Sequence, residues 1–386
     1  LNECSVKAGL TSLLVVFLLS AAAVYSISFV LPNVILEFGS AAAFAVPLSW
    51  VGGAVGGVVL SMVGDVRSRK YALLVSILLF TLPLGLNIRM GGLIELLAVW
   101  FLIGFGVNGE NGLSYVYAAE LSSPQKRGFI GSVMQGLYYL GGITDLVLAS
   151  YTHGISTYFL ILFSVGLISL PLWFFIPESG AHSVKRFRSG TLLHDGRLMG
   201  TTVFGSLFAV GSFLFLVPLV SLSYTYLSGL GLPAYRVLLV GLSVGLVGFA
   251  VSGRVSDRLG RRLTTYLFAG LSGIFAAILF LNVSPLIDEA SIIALMLGSS
   301  FFAYFGVWMS EVYPAEIRAT GTNTTLFLGR LLGGGFGVSL VLLLPFSLGR
   351  SLSLALIASS ILVLTSTTQL PETVSRRQAD ANSQVP

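Results

Sequence analysis

The chain has 386 residues, 55% of them hydrophobic and only 10% charged, with a formal net charge of +5. Soluble globular chains carry about 25% charged residues, so this composition excludes an ordinary water-facing protein and points to a bilayer as the solvent. No Walker sequence, metal-ligand cluster or nucleophile beside a base is present, which argues against an ATP-driven pump and against an enzyme and predicts neither cofactor nor metal.

A span needs about 20 mainly apolar residues, and runs of that length predict an all-α membrane protein with twelve transmembrane helices. The first, near 10–36, follows Lys7 and is too long for a signal-peptide core. The second, near 42–64, carries Gly52, Gly53, Gly56 and Gly57 and runs into SMVGDVRSRK, Ser61 to Lys70. After a third run near 71–89 comes a fourth near 93–118, where GVNGENG places Glu110 between Asn108 and Asn111 and half the helix is polar. The fifth, near 128–151, opens at Arg127 and holds Gln135, Tyr138, Tyr139 and Asp145, the last toward its far end and read as interfacial. The sixth, near 156–176, ends in Pro177-Glu178-Ser179. The polar stretch that follows includes His182, His194 and Asp195; two histidines twelve apart without cysteine read as solvated loop residues rather than a metal site. Runs seven to nine lie near 199–227, 233–253 and 263–283, with GRVSDRLGRR, Gly253 to Arg262, between the last two. The tenth, near 290–312, contains Trp308 and Glu311; the eleventh, near 321–344, contains Arg330; the twelfth, near 350–370, precedes Pro371-Glu372-Thr373. Cys4 is alone, so no internal disulfide is expected.

Three unrelated signals repeat at one offset. Asp65 and Asp257 lie 192 positions apart, the Glu120/Arg127 and Glu311/Arg318 pairs 191 apart, and Pro177 and Pro371 194 apart. Such self-similarity predicts a duplicated unit and two pseudo-symmetric six-helix bundles. The division is 1–177 for the N-terminal half, 178–198 for a cytoplasmic linker, 199–370 for the C-terminal half and 371–386 for a cytoplasmic tail. Basic residues collect on one side of the predicted spans, with only Arg89, Arg236 and Arg350 on the other. That bias predicts a multi-pass protein of the cell membrane with both termini cytoplasmic. The positive charge thus reflects topology and attraction to anionic lipid heads, and needs no nucleic-acid partner. Glycines recur in spans two, five, eight and eleven, which predicts that these four form the contacts between halves.

GRVSDRLGRR fits the loop motif G-x-x-x-D-R-x-G-R-R, and the chain thereby resembles the major facilitator superfamily. SEVYPAEIRA, Ser310 to Ala319, and RGFIGSVMQGLYYLG, Arg127 to Gly141, are similar to its sugar-porter branch, while GVNGENG is similar to the fourth span of facilitator symporters for organic acids. The first loop copy departs from the motif, with Ser61, Val66 and Ser68 in place of Gly, Arg and Gly. The resemblance implies that Asp65, Arg69, Lys70, Glu120, Arg127, Glu178, Asp257, Arg258, Arg261, Arg262, Glu311, Arg318 and Glu372 form ion-pair networks closing the cytoplasmic side. Exposed pairs contribute about 0 to 1 kcal/mol each, which suits a latch.

Glu110 and Arg330 fall near the bilayer midplane, where a charge costs about 2.5 to 3.5 kcal/mol and usually faces a cavity or a partner. Glu110 is accordingly a candidate proton acceptor or solute contact. Arg330 either attracts an anionic solute, neutralises Glu110 or structures its own span. Gln135, with donor and acceptor, suits hydroxyl recognition; Asn108, Asn111, Tyr139 and Trp308 complete the candidate solute site, with Tyr25 and Tyr304 as further aromatic wall candidates. The expected function is secondary active transport of a small polar organic solute, sugar-like or an organic acid, by proton-coupled symport. The alternatives are an antiporter exporting amphipathic compounds and a membrane sensor that binds solute without moving it.

Overall fold

A computed structural model describes residues 3–178 and 196–374. Most of the predicted linker and tail, with His182, His194 and Asp195, lies outside the described residues.

Among the described residues every regular element is helical. In chain order these are α1 (Glu3–Phe38), α2 (Ala45–Val66), α3 (Arg69–Leu86), α4 (Leu93–Leu121), α5 (Arg127–Tyr151), α6 (Ile155–Gly166), α7 (Ser169–Phe175) and α8 (Gly196–Gly229). They continue as α9 (Ala234–Leu259), α10 (Arg261–Leu281), α11 (Pro285–Gly298), α12 (Phe305–Val312), α13 (Arg318–Leu328), α14 (Gly337–Leu343) and α15 (Leu348–Thr367). A 3-10 turn, Ser299–Phe302, joins α11 to α12, and a π turn, Gly329–Gly335, joins α13 to α14. Ten helical stretches among the described residues are long and apolar enough to cross a membrane. The fifth and eleventh expected runs are not among the ten. Buried Ser132, Gln135 and Asp145 dilute the apolar character of α5, and the π turn interrupts the eleventh.

Local chemistry explains the helix boundaries that matter most. Ser68 caps α3 by accepting from the Tyr71 amide at 3.1 Å, and does so from an extended conformation, φ −170°. At the equivalent place after α9 the chain turns on Gly260 at φ +99°, a region that favours glycine. The two loop copies therefore turn by different routes, which accounts for serine being acceptable in the first.

Buried apolar residues form two clusters. One lies within the helices before residue 177, together with Ala319. The other is built mainly from α8 to α15 and takes in Phe17, Trp50, Tyr115, Met134 and Tyr139 from the first half of the chain. Those shared residues mark the seam. Across it α5 packs on α9, and α2 packs on α13 and the π turn; these are the four glycine-bearing spans expected at the contact. The glycines themselves divide between two tasks. Gly57, Gly136, Gly245 and Gly334 face the opposite half, at Arg330, Leu246, Tyr139 and Trp50 respectively. Gly52, Gly56 and Gly104 instead bring α2 and α4 of one half together: a Cβ at each would stand 2.2, 2.2 and 1.8 Å from a backbone oxygen of Phe101, Phe105 and Ser49. Backbone cannot step aside as a side chain can, so overpacking here costs about 1 to 3 kcal/mol or more. Gly56→Ala is expected to lower the thermal unfolding temperature of the purified protein, whereas Gly200→Ala, with nothing within 4 Å, should leave it unchanged or raised.

Candidate functional site

A central cavity lies on the seam between the two clusters, with about 30 Å³ open to the centre of a water molecule. That is room for one or two waters and no organic solute, so the cavity is nearly closed in this state. Its walls come from both sides: Tyr25 of α1, Trp50 of α2, Asn108, Asn111 and Tyr115 of α4, and Gln135, Tyr138 and Tyr139 of α5 face Phe213 and Leu216 of α8, Phe249 of α9 and Phe302. Trp50 meets Phe213 edge-on across the seam at 5.4 Å between ring centroids, and Tyr139 meets Phe249 at 5.0 Å. A second cavity of about 340 Å³, bordered by Ser28, Phe44, Pro47 and Leu222, opens between α1, α2 and α8 at the end away from the basic loops.

Polar groups of the walls are bonded to one another. Asn111 Nδ2 donates to Tyr138 Oη at 2.6 Å, Tyr115 donates to Gln135 Oε1, Tyr139 and Ser299 hydroxyls lie 2.6 Å apart, and Asn108 Nδ2 donates to Gly104 O at 3.2 Å. Of the solute candidates, Asn108, Asn111, Gln135 and Tyr139 are thus brought together. Trp308 is elsewhere: fully buried among Phe208, Tyr304 and Phe305, it donates its indole N–H to Pro371 O at 2.9 Å. Tyr304 also lies away from the cavity, bonded to Thr265 at 2.8 Å.

Glu110 is fully buried but does not line the cavity. It sits between α1 and α4, with Ser20 Oγ at 2.6 Å from Oε2 and Ser114 Oγ bonded to Oε1. Asp145, expected near an interface, is also fully buried. Arg330, 1% exposed, does not pair with Glu110. Its Nη1 donates to Asn323 Oδ1 at 2.8 Å and its Nη2 to Asn111 Oδ1 at 3.5 Å, while Nε finds no partner. Among the described residues no carboxylate lies within ion-pair distance of it. Because Asn111 lines the cavity, this cation stands one side chain behind the wall.

From the cavity to the basic loops, α2 and α13 meet along a polar seam in antiparallel order. Gly334 lies on Trp50, Arg330 on Gly57, Asn323 bonds Ser61 at 2.7 Å, and Thr320 bonds Asp65. This last contact closes the basic end. Asp65 Oδ2 accepts from the Thr320 amide at 2.7 Å and its hydroxyl at 2.8 Å, at the N-terminus of α13. Asp257 does the same for α5, accepting from the amides of Gly128 and Phe129 at 2.9 and 2.7 Å. Each acid at the end of one helix therefore caps the first turn of a helix in the other half, where unpaired N–H groups and the helix dipole favour negative charge.

The arginines differ from the expected cross-half latch. Arg69 forms an ion pair with Asp65 at 3.6 Å and a hydrogen bond to Glu120, and Arg261 bonds Asp257 at 2.9 Å and Glu311 at 3.1 Å, all within one half. Contacts that do cross are Arg318 to Glu120 at 2.9 Å, Arg69 Nη2 to Ala315 O at 3.0 Å, and Arg254 over the Phe129 ring at 4.5 Å. Glu178 accepts from Ser68, and Glu372 from the amides of Arg261 and Arg262 at 3.1 and 3.0 Å; both brace their own loops. Lys70 donates to Phe174 O at 3.3 Å, Arg262 to Thr368 O at 3.0 Å, Arg127 leaves Nε unpartnered, and Arg258 is exposed. Arg69 and Arg261 are 1% and 0% exposed, so the weak exposed pair is the wrong measure for this network. Charge-assisted hydrogen bonds of this kind contribute about 1.5 to 3 kcal/mol each.

Residues 13–338 match the family model of the Major Facilitator Superfamily. The inner membrane metabolite transport protein YhjE of Escherichia coli is 27% identical over 341 residues, covering 76% of this chain and 75% of that protein. The putative niacin/nicotinamide transporter NiaP of Bacillus subtilis is 23% identical over 312 residues, covering 75% and 76%. Among solved structures, the proton:xylose symporter XylE superposes with a TM-score of 0.83 over 97% of both chains at 16% identity, a likeness of fold.

Proposed function

The chain belongs to the Major Facilitator Superfamily, and from that premise we propose that it carries a small polar organic solute across the cell membrane by alternating access, in symport with protons. The reading takes the chain as twelve spans in two six-helix halves, 1–177 and 199–370, joined by 178–198, with both termini cytoplasmic. The observation that carries it is the seam: one central cavity walled by both halves, shut at the basic end by Asp65 and Asp257. Rocking the halves would break those caps and open the cavity toward the cytoplasm.

Glu110 is the proposed proton carrier. Ser20 Oγ lies 2.9 Å from Phe17 O as well as 2.6 Å from Glu110, and its single hydrogen serves only one of them. A protonated Glu110 donating to Ser20 satisfies both contacts. α1 and α4, which hold this pair, also supply Tyr25, Asn108, Asn111 and Tyr115 to the cavity, so a charge change at Glu110 acts on the solute site through those two helices.

The test is uptake of labelled sugars and organic acids into liposomes carrying the pure protein, with and without an inside-alkaline pH gradient. Gradient-boosted uptake is the expected result. Uptake indifferent to the gradient would make the protein a facilitator and remove the proton from the reading.

A further inference from the structure

Resting on the transport reading above, we propose that the central cavity takes a small organic monoanion with a flat apolar body, an aromatic monocarboxylate, its charge compensated by Arg330. Arg330 is a buried cation whose bonded oxygens belong to amides, Asn323 at 2.8 Å and Asn111 at 3.5 Å, and whose Nε is unpartnered. Glu110, the acid on the facing helix, is engaged by Ser20 and Ser114. Neutral amide oxygens compensate a guanidinium poorly, whereas a carboxylate makes stronger, charge-assisted bonds to it. The long Asn111 contact is the one a solute carboxylate would replace, because Asn111 both bonds Arg330 and lines the cavity. Gly57 leaves the space in which the guanidinium sits: a Cβ there would stand 2.1 Å from Nη1.

The walls describe the rest of the solute. Tyr25, Trp50, Tyr138, Phe213, Phe249 and Phe302 present rings from both halves, and edge-on and offset ring contacts favour a flat apolar partner. A polyol needs a hydrogen-bond partner for nearly every carbon. Here Asn111 Nδ2, Gln135 Oε1 and the Tyr139 hydroxyl are already bonded to neighbouring side chains, which leaves fewer open partners in the walls than a polyol has hydroxyls. A dicarboxylate would bring a second charge with no cation to meet it among the described lining residues.

The experiment is calorimetric binding to the detergent-purified full chain at pH 7.5, using benzoate, benzamide, succinate and xylose as probes. Benzoate and benzamide share a shape and differ in charge. Benzoate is expected to bind at least tenfold more tightly than benzamide, succinate or xylose. In Arg330→Gln the benzoate preference over benzamide should shrink to within twofold, and Arg330→Lys should recover part of it. Benzamide equal to benzoate in the unaltered protein, tighter binding of xylose or succinate, or no binding of benzoate overturns the assignment, and none of these needs a variant that folds. The transport reading stands or falls separately, on the liposome uptake of sugars and acids.

Discussion

Glu110→Gln is expected to abolish accumulation against a gradient while solute exchange continues. Glutamine keeps the size of the side chain, an oxygen to accept from Ser114 and an N–H₂ to donate to Ser20 as the protonated acid would, and removes the proton that could be picked up and released. With one proton per solute, an inside-alkaline step of one pH unit can support roughly tenfold accumulation, since 1.4 kcal/mol corresponds to a factor of ten. The variant should instead stop at equal concentrations inside and out. Exchange of labelled for unlabelled solute needs only the cavity and the rocking motion; Glu110 does not line the cavity and glutamine holds the uncharged state of the acid, so exchange should persist within a few fold. Accumulation equal to that of the unaltered protein would return Glu110 to a packing role between α1 and α4. Loss of exchange together with accumulation would show that the side chain holds those helices in place, and Ser20→Ala would then separate the roles, since it removes the hydroxyl but leaves the acid.

Much of this arrangement was legible in the residues. The repeat at Asp65 and Asp257 marks both caps, and the glycine-bearing spans do form the seam. At 100° per residue Asn108, Asn111 and Tyr115 share one stripe of α4, and they line one cavity. What periodicity does not carry is the identity of the opposing surface. It shows that Glu110 and Arg330 share a depth in the bilayer, but not that α2 and Asn111 lie beside the arginine while Ser20 encloses the acid. Trp308 illustrates the same limit: expected at the solute site, it has its indole turned to the backbone at Pro371 instead. The aromatic wall of Trp50, Phe213, Phe249 and Phe302 had no signal of its own, because in a chain with 27 phenylalanines a ring facing a cavity reads like one facing lipid. The acid partners were misjudged for a related reason. A carboxylate beside arginines suggests an ion pair, and only the tertiary structure reveals that its cross-half partners are the free amides of a helix start.

That distinction sets the expected effect of Asp257→Asn. The carboxylate offers an oxygen to each of the Gly128 and Phe129 amides and a third contact to Arg261 at 2.9 Å. Asparagine offers one oxygen and turns an N–H₂ toward a donor, so at least one amide at the start of α5 is left unpaired. A buried donor without a partner costs about 1 to 3 kcal/mol, and the lost charge weakens the interaction with the helix start further. Because Asp257 lies on α9 and the amides on α5, this energy is lost only while the basic end is closed. The ratio of closed to open molecules should therefore fall by roughly 5- to 150-fold, at 1.4 kcal/mol per factor of ten. Spin-label distances across the basic end would report the shift as a longer population, and exchange should slow while solute affinity stays within a few fold. Asp65→Asn should have a smaller effect at α13, because Oδ2 alone takes both Thr320 donors and an asparagine oxygen can stand in for it, leaving mainly the loss of charge at the helix start; the double variant should exceed either alone, since the two caps share no residue. Normal exchange with weakened solute binding would contradict this account, because it would place Asp257 in the solute site, from which the whole polar seam of α2 and α13 separates the basic loops.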